Sequence, residues 1–355
     1  KDLTFNTDHS LLQGDILFNL HPETGWQDFT NKVSWDMNVK LGSELSGYDL
    51  SYFVTQWDNY KPFKLSGKME GPLNNFTLNH FLLGNQNVHI QTDKMSFTNL
   101  LKGNFNIETQ KLNADFTYIN LKAMMPTFIS EKMKNFADDF GRLKYNGTAS
   151  VTPEKVYIQK ADLVTGIGQA QIQNFSLTDY STDTPKYQGR AQLQNFNTSV
   201  ITKSNAVGLI SGDFTLKGQS FDVNKMIIET NSNIHRIEIM GKPYQNATLI
   251  GTLNHRKYNG LVNINDPNLQ GSVNGLIDFS TPRLSADVKA DFKRLNLGYL
   301  TGSKQSQIIT GSVDGKIAMT NLNDLMVDAN LSNVNIYANN EKIEIPNGHI
   351  KSHVA

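Results

Sequence analysis

The chain of 355 residues contains no cysteine. That absence excludes a disulfide framework, thiolate metal centres and a cysteine nucleophile. Net charge is missing as well: 33 Lys and Arg balance 33 Asp and Glu, and neither sign gathers into blocks. Nucleic acid and anionic surfaces are held by a basic excess, so neither is expected as a partner. No apolar run approaches the roughly 20 residues that a membrane-spanning helix needs. No composition shift or Pro/Gly-rich linker divides the chain, so residues 1–355 read as one continuous repetitive segment. Strand-like text runs to both Lys1 and Ala355, which is expected of a piece of a longer protein.

What is present is a short phrase returning nine times: apolar, polar, glycine, polar, apolar. The copies are Leu12 to Ile16, Leu65 to Met69, Leu101 to Phe105, Tyr145 to Ala149, Tyr187 to Ala191, Ile210 to Phe214, Tyr258 to Val262, Leu269 to Val273 and Ile309 to Val313. Only Leu261 breaks the polar rule. On a strand, alternate side chains share a face, so each glycine and its two apolar neighbours point the same way. A glycine there lets the sheet bend or leaves room for something lying against it. Alternation continues elsewhere, as in Trp35, Met37, Val39; Leu112, Ala114, Phe116; and Ala286, Val288, Ala290, Phe292. Turn signals at Gly71-Pro72, Asp183-Thr184-Pro185, Asp266-Pro267-Asn268 and Asn347-Gly348 separate the runs and predict a meander.

One segment carries a different period. From Pro126 to Phe140, Phe128, Ile129, Met133, Phe136, Ala137 and Phe140 recur at helical spacing, which predicts one short amphipathic helix. Three related phrases close alternating runs: Asp49-Leu50-Ser51-Tyr52-Phe53, Asn120-Leu121-Lys122-Ala123-Met124 and Asn296-Leu297-Gly298-Tyr299-Leu300. The repeat therefore has an opening and an ending, with irregular spacing that makes each unit several strands.

No constellation for catalysis can be assembled, so no enzyme, cofactor or metal is expected. The eight histidines are dispersed and no His-Glu-x-x-His occurs. Gly166-Ile167-Gly168 and Gly271 to Gly275 do not lead from a strand into a helix, as a phosphate loop must. Asp138 and Asp139 are sequence neighbours on the expected helix and point apart. Asn-x-Ser/Thr triplets at Asn75, Asn146, Asn174 and Asn246 are ordinary in so Asn-rich a chain.

The apolar face is the remaining problem. With two-thirds of the chain in strands of about eight residues, on the order of 30 strands would extend a sheet about 140 Å. One helix cannot cover that face. It closes as a dry core, packs on a second sheet, or stays open to an apolar ligand. The glycines favour the last, since a zipped core would profit from side chains there. The expected lining is Phe105, Ile107, Leu112, Phe116, Phe214, Leu216, Ile237, Ile239, Val288 and Phe292.

The opener Leu269-Gln270-Gly271-Ser272-Val273-Asn274-Gly275, the strand Pro282 to Val288 and the ending Asn296 to Leu300 resemble the AsmA-like superfamily. The Asn richness and Asp49 to Phe53 are most similar to TamB-type envelope proteins of the Bacteroidota. The resemblance implies a β-taco, a long curled all-β sheet with an apolar groove for phospholipid acyl chains. It also implies a periplasmic location, an inner-membrane anchor outside this segment and a BamA-type outer-membrane barrel as partner. The function it implies is a non-enzymatic lipid-transfer conduit. The alternatives are a scaffold aiding outer-membrane protein insertion by β-augmentation, and an adhesin-like β-solenoid with a dry core.

Overall fold

The computed structural model describes residues 2–52, 62–124, 139–202, 207–303, 305, 307–321, 324–339 and 341–354. These form two compact units, 1–182 and 183–355. The all-β expectation holds: 24 strands and five short helical turns are present among the described residues. Strands of up to 15 residues, against the eight assumed from sequence, account for the lower number. Of the helix expected over 126–140, residues 126–138 lie outside the described residues.

The first unit holds β1 (Leu3–Asn6), β2 (Leu11–Asn19), β3 (Ser34–Val39), β4 (Glu44–Ser46), β5 (Pro62–Pro72), β6 (Phe76–Gly84), β7 (His89–Thr98), β8 (Asn106–Gln110) and β9 (Leu112–Thr117). It continues with β10 (Arg142–Gly147), β11 (Ser150–Val151), β12 (Lys155–Thr165) and β13 (Gly168–Thr178). All pairings are antiparallel. β3 and β4 both pair with β5, and β8 and β9 both pair with β7, so each couple is one interrupted strand.

The second unit is a plainer meander. It holds β14 (Lys186–Asn197), β15 (Val207–Gln219), β16 (Ile227–Ile239), β17 (Lys242–Asn254), β18 (Lys257–Asp266), β19 (Leu269–Asp278), β20 (Leu284–Asn296), β21 (Gln307–Asn321) and β22 (Asp324–Ala338). Each pairs antiparallel with the next. β23 (Glu341–Glu344) and β24 (Gly348–Val354) then pair with opposite ends of β22.

The helical turns explain the closing phrases, which sequence reading left without a conformation. Besides α1 (Phe29–Lys32), they are α2 (Gly47–Ser51), α3 (Tyr118–Met124), α4 (Thr198–Thr202) and α5 (Leu297–Thr301). Each of the last four follows a strand and precedes its hydrogen-bonded neighbour. A polar side chain starts every one: Ser46 Oγ accepts from Tyr48 N–H at 3.2 Å and Thr117 Oγ1 from Asn120 N–H at 3.3 Å. Asn197 Oδ1 accepts from Ser199 N–H at 3.2 Å, and Asn296 Oδ1 from Tyr299 N–H at 3.1 Å. Such caps satisfy the amide groups a helix start leaves bare.

Eight of the nine openers lie on strands or begin on one. Leu101 to Phe105 does not: it is the turn between β7 and β8, held by Lys102 N–H donating to Asn99 C=O at 2.9 Å. Asn99, at φ 52°, starts this reversal, so pattern alone misplaced it.

The glycines have a different reason from the one expected. A Cβ on Gly275 would sit 2.3 Å from Asp287 C=O on the next strand, and its φ is 141°. Gly251 and Gly260 face each other, and a Cβ on Gly260 would come within 2.6 Å of Gly251 Cα and 2.7 Å of Tyr258 Oη. Backbones approach too closely for a side chain, and at this pair a tyrosine lies across the space. Gly275→Ala should therefore destabilise the protein by about 1–3 kcal/mol. Gly348→Ala, which meets nothing within 4 Å, should be near neutral. Urea unfolding midpoints of the two variants decide this.

Candidate apolar binding face

Direct cross-strand partners share a face, so the registers string side chains into lanes across the strands. In the second unit one lane runs Ala191, Phe214, Ser232, Leu249, Val262, Val273, Ala290, Val313, Leu331. Beside it lies a lane of small residues: Gly251, Gly260, Gly275, Val288, Gly315, Ala329. A third follows with Leu253, Tyr258, Ile277, Ala286, Ile317, Val327. Eight strand spacings along the first lane cover about 38 Å. The intervening positions carry the wet face: Asp213 and His235 pair at 3.1 Å, Lys351 and Asp328 at 3.2 Å.

The first unit repeats the design. Ile16, Met37, Met69, Leu78 and Met95 form one lane, ending at Thr109. Phe76, Phe97, Ile107, Val151, Val156 and Leu177 form another. Thr92 and Thr109 interrupt the apolar character, but both hydroxyls are used: Thr92 Oγ1 donates to Gln110 C=O at 2.8 Å and Thr109 Oγ1 to Ala149 C=O at 3.1 Å.

The ten expected lining residues divide between the units. Ile107 sits on β8, beside Phe97 and Val151, and Leu112 and Phe116 sit on β9 opposite Gly147 and Leu143. Phe105 precedes β8 and is not on a strand. Phe214, Leu216 and Ile237 meet in one cluster, with Ile210, Ile234 and Ala247 as its buried centre. Ile239 continues β16 opposite Val207, while Val288 and Phe292 lie together on β20. Only Phe214 and Val288 are buried; the other eight are half-buried. Sequence reading missed Leu249, Val262, Val273, Val313 and Leu331, although three of them end openers.

Tyrosines belong to the face too. Tyr258 Oη donates to Leu261 C=O at 3.2 Å and Tyr145 Oη to Thr148 C=O at 2.7 Å, so both fold back over the glycine two residues on. Tyr187 stacks on Phe221 at 5.1 Å. Burial pushes Tyr145, Tyr187 and Tyr244 up to about 12. A raised phenol holds its proton more tightly folded than unfolded. Its contribution to stability is complete below the ordinary value near 10 and is lost as pH climbs toward about 12. Spectroscopic titration of the native protein should show these three tyrosines ionising after the exposed ones, with unfolding beginning in that window.

Among the described residues no group of three or more His, Asp or Glu is placed to hold a metal ion. No described helix is long and apolar enough to cross a membrane. No family model, curated protein or solved structure matches the chain, so the likeness to the AsmA-like superfamily rests on the quoted residues.

Proposed function

We propose that this chain is part of a non-enzymatic conduit that shields phospholipid acyl chains along the apolar face of its sheets, in the periplasm between two membranes. One observation carries the reading: most of the expected lining is half-buried, whereas a closed dry core would bury it. Transfer along such a face needs no reactive group. Each methylene kept from water is worth about 0.8 kcal/mol, so a surface as dry as the membrane interior lowers the cost of leaving it. The anchor and the BamA-type barrel belong to this proposal through the family resemblance alone.

A second reading, the assembly scaffold, is favoured by β24. This strand pairs only with β22 among the described residues of its unit, so its other edge offers free N–H and C=O groups to an extended client.

Two experiments separate them. Protein purified without harsh detergent should carry phospholipid in native mass spectra and bind an apolar fluorescent probe in competition with lipid; a lipid-free, probe-blind protein excludes the conduit. Phe292→Arg should place an unpaired charge on the apolar face, at a cost of several kcal/mol to passing tails. Asp291→Arg changes a neighbouring exposed position of opposite parity. In the full-length protein the first variant should fold yet lose lipid transfer, and the second should retain it. Normal transfer by a folded Phe292→Arg variant would favour the scaffold.

A further inference from the structure

The loops at one end of the first unit are tied together more elaborately than chain reversal requires. Asn74, only 1% exposed, is the knot. Its N–H donates to Thr30 C=O at 2.9 Å and its Nδ2 to Asn31 Oδ1 at 2.9 Å. Its Oδ1 accepts from Leu101 N–H at 2.9 Å, and its C=O from Leu100 N–H at 3.0 Å. The segments around Thr30 and Leu101 are thereby fixed to opposite sides of one asparagine.

Around this knot the face changes character from aliphatic to aromatic. Phe18 and Trp35 are direct partners on β2 and β3, with ring centroids 4.8 Å apart. Trp26 and Phe29 fold onto them: Phe18–Trp26 is 5.6 Å, Phe29–Trp35 is 5.7 Å, and Trp26 stacks on Phe29 at 6.1 Å. Trp26 is nevertheless 58% exposed. Next to the knotted residues stand Lys32 and Lys102, both exposed and in no salt bridge with a described residue. Of the carboxylates on the same loop, Asp28 accepts from Asn31 Nδ2, and Glu23 is exposed.

An apolar lane that ends in indole and phenyl rings, with an exposed lysine on each segment tied to Asn74, has the ingredients of a membrane interface. Tails match the aliphatic side chains, the ester region matches the amphipathic rings, and phosphate matches the lysines. We infer that the Asn74 knot is a headgroup station, where a phospholipid phosphodiester lies between Lys32 and Lys102 with its tails directed onto the apolar lanes of the first unit. This rests on the conduit reading and adds to it the orientation of the lipid.

The chain has three tryptophans, so Trp57→Phe leaves Trp26 and Trp35 as the reporters. The probes are phosphatidylglycerol carrying bromine near the carboxyl end of its acyl chains and the same lipid brominated near the methyl end. Fluorescence should be quenched about twofold more by the first, because both indoles sit at ester depth. The variant Lys32→Gln/Lys102→Gln should bind phosphatidylglycerol more weakly by on the order of twentyfold, at about fivefold per lysine. Its affinity for an uncharged apolar probe should not change. Stronger quenching from the methyl end, or unchanged lipid affinity in the double variant, overturns the headgroup station and leaves the conduit standing. Failure of any phospholipid to bind the unaltered protein removes both.

Discussion

Everything on the apolar face depends on strand register. A side chain's neighbours across a sheet are chosen by backbone pairing, and a slip of one residue would turn the whole lane of Phe214 and Leu249 toward water. Parity must therefore survive every turn. At the β18–β19 connection this is done by Asp266, whose buried carboxylate accepts from Gln245 N–H at 3.0 Å and Asn268 N–H at 2.8 Å. Where an extra residue enters a strand, a bulge absorbs it. Asn195 lies within the register shift between Leu193 and Phe196, and its φ of 48° is one that asparagine tolerates better than most residues.

That detail revises what composition says. The abundance of asparagine reads as wet-face chemistry, yet Asn174, Asn195, Asn246 and Asn333 all occupy left-handed backbone within or beside strands. Each bends its strand and adds twist. The glycines do related work by a different route, letting adjacent backbones come closer than a Cβ permits. Tyr258, laid over Gly251 and Gly260, then restores the apolar cover that the missing side chains remove.

The strands and their faces were legible because period-two alternation is a local signal. Phe214, Val288 and Phe292 could be assigned a face from two residues on either side. Helical turns of five residues carry no period of their own, so α5 went unread although Asn296 caps it. The Leu101 to Phe105 phrase was unreadable for another reason: besides the local reversal at Asn99, it is held by Asn74, some 27 residues away. The reason for the glycines was equally hidden, since close approach is a relation between two strands. The aromatic end of the first unit was missed because Trp26 and Phe29 come from the connection between β2 and β3, where alternation says nothing.

The meander of the second unit also governs how that unit can form. From β14 to β22 each strand finds its partner in the segment just before it. Contacts of such low sequence separation spare the chain the entropy of closing long loops, and favour rapid zippering from whichever hairpin nucleates first. Stability then accumulates by nearest-neighbour increments, as in a linear repeat array, and a defect in one hairpin frays its neighbours before it reaches the rest. Such a sheet can grow from one end while the remainder of the chain is still extended.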